Sequence, residues 1–207
     1  MEKQNKLARI VSEQMHQLDL DAGMIRFSQD LALPFQVLGT ESDNTLTWLW
    51  AWADEQTEIP NDLIRTSLQL RDWGLRERIS EFTLPSVDTV KTDGNAIAIV
   101  STQIANANSY FRDSYAGGAA YLLVFDKSIE NEPAFDGVSL YRHLTELFSR
   151  YDLNQRKVLL SYFEIKGLSS VSEGSRVICE LANDERIIAE FDDEGKLRVW
   201  NGETITI

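Results

Sequence analysis

Apolar residues recur along this chain at two spacings, three to four residues apart and two residues apart, and the changes of spacing mark out its elements. Leu7, Ile10, Val11, Gln14 and Leu18 fall near one helical stripe, which predicts an amphipathic opening helix ending between Asp19 and Gly23. Met24 to Ser28 reads as a short strand. Pro34 introduces a second strand, Phe35 to Thr40, and the turn-rich Glu41-Ser42-Asp43-Asn44 leads into Thr45-Leu46-Thr47-Trp48-Leu49-Trp50-Ala51-Trp52. Side chains alternate across a strand, so Leu46, Trp48, Trp50 and Trp52 are predicted to share one face of a hairpin strand. The opposite face carries Thr47, Leu49, Ala51 and Ala53, all apolar or small, as expected of an interior strand covered on both sides.

Ile59-Pro60-Asn61-Asp62 reads as a helix start, with proline tolerated in the first turn and acids at the positive end of the dipole. Leu63, Ile64, Leu68, Leu75 and Ile79 form its expected buried stripe, Gly74 weakens its interior, and Pro85 closes it. A second helix is predicted from Thr92 as N-cap through Ala96, Ile97, Ile99, Val100 and Ile104. Tyr115 to Phe125 reads as a small-residue turn, with Gly117-Gly118, feeding a buried strand.

Asn131-Glu132-Pro133 is the candidate linker. Beyond it, Val138, Tyr141, Leu144, Phe148 and Tyr151 keep helical spacing, and Asp152-Leu153-Asn154-Gln155 resembles a capping box opening a helix that Gly167 stops. A strand reading of Val158 to Ile165 stays open because of its β-branched and aromatic content. The chain then reads as a four-stranded meander: Arg176 to Leu181, Arg186 to Phe191, Lys196 to Trp200 and Glu203 to Ile207. Its turns are placed at Asn183-Asp184, Asp193-Glu194-Gly195 and Asn201-Gly202. The expected class is α+β, an antiparallel sheet with helices packed on it and a C-terminal antiparallel β-meander. Residues 1–130 form an α+β region around the Trp-rich central strand. Residues 134–207 form two helices plus the meander, expected to pack on the first region as one compact unit.

Composition narrows the partners. The formal charge of the 207 residues is −13, which repels phosphate backbones and anionic lipid, so neither nucleic acid nor a membrane surface is expected. Glu173 to Gly195 carries eight acids against Arg176 and Arg186 and is the candidate acidic face. The polar opening Met1-Glu2-Lys3-Gln4-Asn5-Lys6 lacks a signal-peptide core and no apolar run has the length of a membrane span, which points to the cytoplasm. The lone Cys179 excludes an internal disulfide or a cysteine-based zinc cluster, and its apolar neighbours make it a buried hydrophobe before a nucleophile.

Candidate chemistry is sparse. His16 and His143 belong to no ligand spacing and read as surface helix residues, His143 paired with Glu146. Gly117-Gly118 lacks the lysine and following helix of a phosphate loop, and Asp192-Asp193-Glu194-Gly195 lacks the alternating ligands of a calcium loop. No catalytic residue, metal or cofactor is assigned. The candidate ligand-binding residues are Trp48, Trp50, Trp52, Asp54 and Glu58: an indole face with carboxylates, including Glu55, directly after it. Packing is weighed above binding for the indoles, and a solvated loop above catalysis for the acids. The expected function is a non-enzymatic binding or protein-interaction module with an acidic surface, taking a basic protein or a small apolar ligand. The alternative is a carboxylate-dependent hydrolase with a Trp-lined cleft. Oligomeric state is left open.

Gly39-Thr40-Glu41-Ser42 followed by Thr47-Trp48-Leu49-Trp50-Ala51-Trp52-Ala53 resembles a family of uncharacterised bacterial proteins in which a Gly-Thr-x-Ser turn precedes a Trp-x-Trp-x-Trp strand. The resemblance extends loosely through Pro60 and the following helices to Phe191-Asp192 and Gly195-Lys196-Leu197. It departs at Asp54, where that family commonly carries asparagine. It implies a bacterial, cytoplasmic domain of unknown function and assigns no catalytic residue.

Overall fold

The computed structural model describes residues 7, 16–28, 30–129, 136–181 and 185–204. Two compact units divide the chain, residues 1–131 and 132–207. The predicted opening helix lies largely outside the described residues; Leu7 is helical and buried, whereas Gln17–Asp19, expected at the end of that helix, forms a short strand, β1.

The first unit is built on a seven-stranded sheet. Its strands are β1, β2 (Met24–Arg26), β3 (Ala32–Ser42), β4 (Thr47–Trp50), β5 (Ser86–Asp88), β6 (Ser109–Tyr115) and β7 (Gly118–Val124). The order β1-β2-β3-β4-β5 is joined through β3 to the hairpin β7-β6, and every pairing is antiparallel. Strand β6 was not foreseen. Its sequence, Ser-Tyr-Phe-Arg-Asp-Ser-Tyr, is too polar to announce itself, and it forms because Gly117, at φ +89°, turns the chain back along β7.

Strand β7 is apolar along its length, and each half of that pattern serves a different core. Ala119, Tyr121 and Leu123 join Leu38, Trp48, Trp50, Leu70, Phe82 and Ile97 on one face; Leu122 and Val124 join Ile25, Leu33, Phe35, Val37 and Ile129 on the other. The first core is roofed by α1 (Arg65–Glu77), the short α2 (Ser80–Thr83) and α3 (Gly94–Ile104). The predicted stripe on α1 needs correction: Leu75 is 60% exposed, and Leu70 is the buried anchor. Gly74 permits packing where it was expected only to weaken the helix, since a Cβ there would lie 2.5 Å from the Phe82 Cβ. The cap of α3 is Asp93, not Thr92; its carboxylate accepts from Ala96 N at 2.7 Å.

The second unit places α4 (Gly137–Arg150) and α5 (Gln155–Ile165) over one face of a four-stranded antiparallel sheet. The sheet runs β11-β10-β9-β8, from β8 (Ser170–Glu173) through β9 (Arg176–Glu180) and β10 (Glu185–Phe191) to β11 (Leu197–Thr204). Asn154 caps α5 by accepting from Lys157 N, and Gly167 ends it at φ +67°, which settles the Val158 to Ile165 segment as helix. Val138, counted in the α4 stripe, is 76% exposed; Leu140 and Leu144 hold that helix down.

The meander has four strands, but not the four expected. Asn201-Gly202 makes no turn. Both residues continue β11, paired with Ile188 and Ile187 of β10, because a two-residue hairpin signal yields to a longer register that hydrogen-bonds the whole strand. The fourth strand is β8, whose Ser-Val-Ser-Glu sequence carries little β signal. The Asn183-Asp184 turn lies outside the described residues. No helix among the described residues is long and apolar enough to cross a membrane.

Candidate functional site

The indole face is shorter than its sequence spacing implied. Strand β4 ends at Trp50, and Ala51–Ala53 turns into a single 3-10 turn, so Trp52 leaves the plane of the strand; Leu46 sits in the preceding turn at φ +52°, exposed. Trp48 and Trp50 remain on one face and pack edge to face, their centroids 5.5 Å apart. Both are 0% exposed. Trp48 fits because Gly39 leaves room beneath it: a Cβ at that position would fall 2.6 Å from the indole and 2.5 Å from Leu49 O. Trp50 lies against Phe82, and its Nε1 donates to Glu81 O at 2.9 Å. Trp52 is half-buried, with the Arg71 guanidinium 5.2 Å over its ring. Trp48 and Trp50 thus have no surface open to a ligand in this structure, and the cleft predicted along them is filled by helices.

The carboxylates that follow do not gather. Asp54 Oδ1 accepts from Gln56 N at 2.9 Å and Thr57 N at 3.0 Å, closing a turn with its own side chain. Burial pushes its pKa up, but hydrogen bonds from the Thr57 side chain and from the Thr57 and Gln56 amides outweigh that and hold it below its ordinary 3.8. Such a group stays ionised, the reverse of what a general acid requires. Asparagine, the residue the resembling family commonly carries here, offers the same acceptor oxygen to the same two amides. Glu55 and Glu58 stand exposed on the loop between this turn and the 3-10 turn Asn61–Leu63. Gln36 fastens the far end, donating to Asp62 O at 2.9 Å while accepting from Thr66.

A feature the initial reading missed becomes visible with this loop in place. From Phe27 to Ile64 the sequence holds no lysine or arginine but seven acids: Asp30, Glu41, Asp43, Asp54, Glu55, Glu58 and Asp62. The signal was present in the spacing of basic residues. By contrast, the acids of Glu173 to Gly195 are largely engaged. Glu180 pairs with Arg186 at 3.0 Å, Glu190 with Arg176 at 2.7 Å and Asp192 with Arg198 at 2.6 Å, while Glu185 accepts from Gly137 N.

Two polar clusters in the first unit are structural. Glu41 accepts from Tyr121 Oη at 2.7 Å and from Gly94 N at 3.1 Å, and Arg112 Nε donates to the same phenol oxygen at 3.1 Å. Burial, then the Glu41 carboxylate, raise the Tyr121 pKa above its ordinary value against the opposing pull of Arg112, so the phenol stays protonated. The network pins the start of α3 to the sheet, where a Cβ on Gly94 would meet the Tyr121 ring at 2.7 Å. His16, expected on a helix surface, instead bridges to β6: its Nε2 lies 2.9 Å from Asp113 Oδ1, and its ring edges onto Phe111 with centroids 4.9 Å apart. His143 is half-buried on α4, and Glu146 pairs with Arg150 at 2.9 Å. Cys179 is buried, and desolvation followed by the charge of Glu180 pushes its thiol up to about 11, which keeps it un-ionised. Among the described residues no group of three or more His, Cys, Asp or Glu is placed to hold a metal ion.

Fold and side chains together define an α+β protein whose first unit is a doubly covered sheet sealed by tryptophan. The chain belongs to the family of unknown function DUF6882, whose model matches residues 1–127, including the Gly39 turn, the tryptophan strand and Pro60. The match stops short of the second unit, so the likeness noted around Phe191 and Gly195 lies outside it. No curated protein and no solved structure matches the chain.

Proposed function

We propose that this protein works as a binding module with no turnover of its own, engaging a basic protein partner through the acidic surface of its first unit. The observation that carries this reading is the 38-residue stretch from Phe27 to Ile64, with seven acids and no base, whose Glu55 and Glu58 are exposed on a loop fixed at both ends. Charge presented on a rigid loop attracts an oppositely charged surface without first ordering the loop. Residues 1–131 also hold the larger share of the net charge, nineteen acids against eleven bases. Such a field raises the association rate with a basic partner and makes binding sensitive to salt.

The test is capture from the native lysate at low and high salt, using the full chain and its Glu55→Lys/Glu58→Lys variant, beside a broad hydrolase screen. A basic protein retained at low salt, released at high salt and lost with the variant is the expected result. Capture that ignores both salt and the charge reversal overturns the proposal, as does hydrolytic turnover that Asp54→Asn abolishes.

A further inference from the structure

The sheet of the second unit is clothed on one face only. Val177, Cys179, Ile187, Ala189 and Phe191 point into the core with α4 and α5; Arg176, Ile178, Glu180, Arg186, Ile188 and Glu190 point the other way. On that outer face an apolar row crosses the sheet. Val171, Ile178 and Ile188 are register neighbours on β8, β9 and β10, and Val199 of β11 lies one step along, opposite Glu190. Val171 is 59% exposed and Val199 38%, with Ile178 and Ile188 half-buried between them.

Charges frame this row in a checkerboard. On one side of the Ile178/Ile188 pair stand Arg176 on β9 and Glu190 on β10; on the other stand Glu180 on β9 and Arg186 on β10. We infer that a second copy of the chain docks here, sheet against sheet, about a two-fold axis. A two-fold in the plane of the face and parallel to the strands lays the copy's Ile188 over Ile178, its Glu190 over Arg176 and its Arg186 over Glu180. A two-fold perpendicular to the strands lays the copy's Glu180 over Arg176 and its Arg186 over Glu190. Both arrangements bring opposite charges together around an apolar centre. A pattern of two arginines and two glutamates that is complementary to itself fits an isologous contact, in which the same patch serves both partners. Aligned packing of two sheets face to face is an ordinary way to cover such a surface.

Strands of four to eight residues offer a face at the small end of the interface range, so the dimer is weak, with a Kd on the order of micromolar. Sedimentation equilibrium of the full chain over a concentration series tests it. The mass should rise from 23.6 kDa toward twice that value. Arg176→Glu/Arg186→Glu makes all four framing charges acidic, and Glu180→Arg/Glu190→Arg makes them all basic. Each variant alone should stay monomeric, and an equimolar mixture should recover the dimer. Should the lost ion pairs unfold a variant, Val171→Lys/Val199→Lys, at positions outside those pairs, should abolish dimerisation with the melting curve retained. A full chain that stays monomeric at its highest concentration overturns the inference, which is also the outcome if another segment or another protein covers the face. So does a dimer that persists in all three variants, or a mixture of folded variants that fails to associate.

Discussion

Both units of this protein are antiparallel sheets, yet one is buried on two faces and the other on one, and the difference is written in their strand patterns. Strand β7 reads Gly-Ala-Ala-Tyr-Leu-Leu-Val and feeds two cores through alternate residues. Strand β10 reads Glu-Arg-Ile-Ile-Ala-Glu-Phe, and only its odd positions are sealed. A continuous apolar run calls for cover on both sides, whereas an alternating one calls for cover on one. Polar satisfaction follows the same division. The first unit pins α3 to its sheet with the Glu41–Tyr121–Arg112 network, while the second spends its charged pairs on an open face, where each contributes about 0–1 kcal/mol.

The sharpest way to break this comparison is to truncate one residue from each sheet. Trp50→Ala should destabilise the first unit by about 3–5 kcal/mol, through lost burial and the unmet Glu81 carbonyl, whereas Ile188→Ala on the outer face of β10 should cost less than about 1.5 kcal/mol. Urea unfolding followed by circular dichroism reads both, and equal losses would show that the outer face is as well packed as the indole core.

Adding volume tests the same seal from the other side. Gly39→Ala places a methyl against a backbone carbonyl and the Trp48 ring, neither of which is free to swing away. The expected loss is about 1–3 kcal/mol, measured as a lower urea midpoint, and an unchanged midpoint would mean that β3 and β4 shift apart without penalty.

Removing residues 201–207 takes away the second half of an edge strand, since Asn201 to Thr204 pair with Ile188 to Glu185. Cross-strand pairs at an edge contribute about 0.2–1 kcal/mol each, so the second unit should lose about 1–3 kcal/mol and melt earlier while the first unit's transition stays in place. A truncated chain that melts with the full one would contradict this pairing.

The smallest effect concerns pH. The Cys179 thiol has an ordinary pKa of 9.0 and is pushed to about 11 in the fold, because burial and then Glu180 disfavour the thiolate. Its contribution is therefore intact below pH 9 and lost as pH rises from 9 toward 11. Cys179→Ala should flatten the alkaline fall in stability of the second unit, and an identical slope in the variant would remove the thiol as its cause.

How far the sequence announced these features depends on whether the signal was local. The β3–β4 hairpin, the caps at Asn154 and Gly167 and the helical spacing of α3 were legible, because each is set by residues within a turn or two of one another. Strands β6 and β8 were not, since Ser-Tyr-Phe-Arg-Asp-Ser-Tyr and Ser-Val-Ser-Glu become strands through the partners they hydrogen-bond. Among the candidate site residues, Asp54's role was hidden for a related reason: its neighbours Gln56 and Thr57 were in view, but not the turn that aims their amides at its carboxylate. The acid-only stretch from Phe27 to Ile64 was in plain sight and required only counting bases as well as acids.

The order of residues by itself determined that this chain is an α+β protein with an apolar tryptophan strand and an acidic surface, since periodicity and charge are properties of the chain. Only the tertiary structure decided that Trp48 and Trp50 form a core while Trp52 turns aside, that Asn201-Gly202 extends a strand, and that one sheet keeps an open face. Those outcomes turn on whether distant segments such as Phe82, Tyr121 and Ile188 arrive to cover or pair with a residue. A local pattern specifies which face seeks cover, but not what comes to cover it.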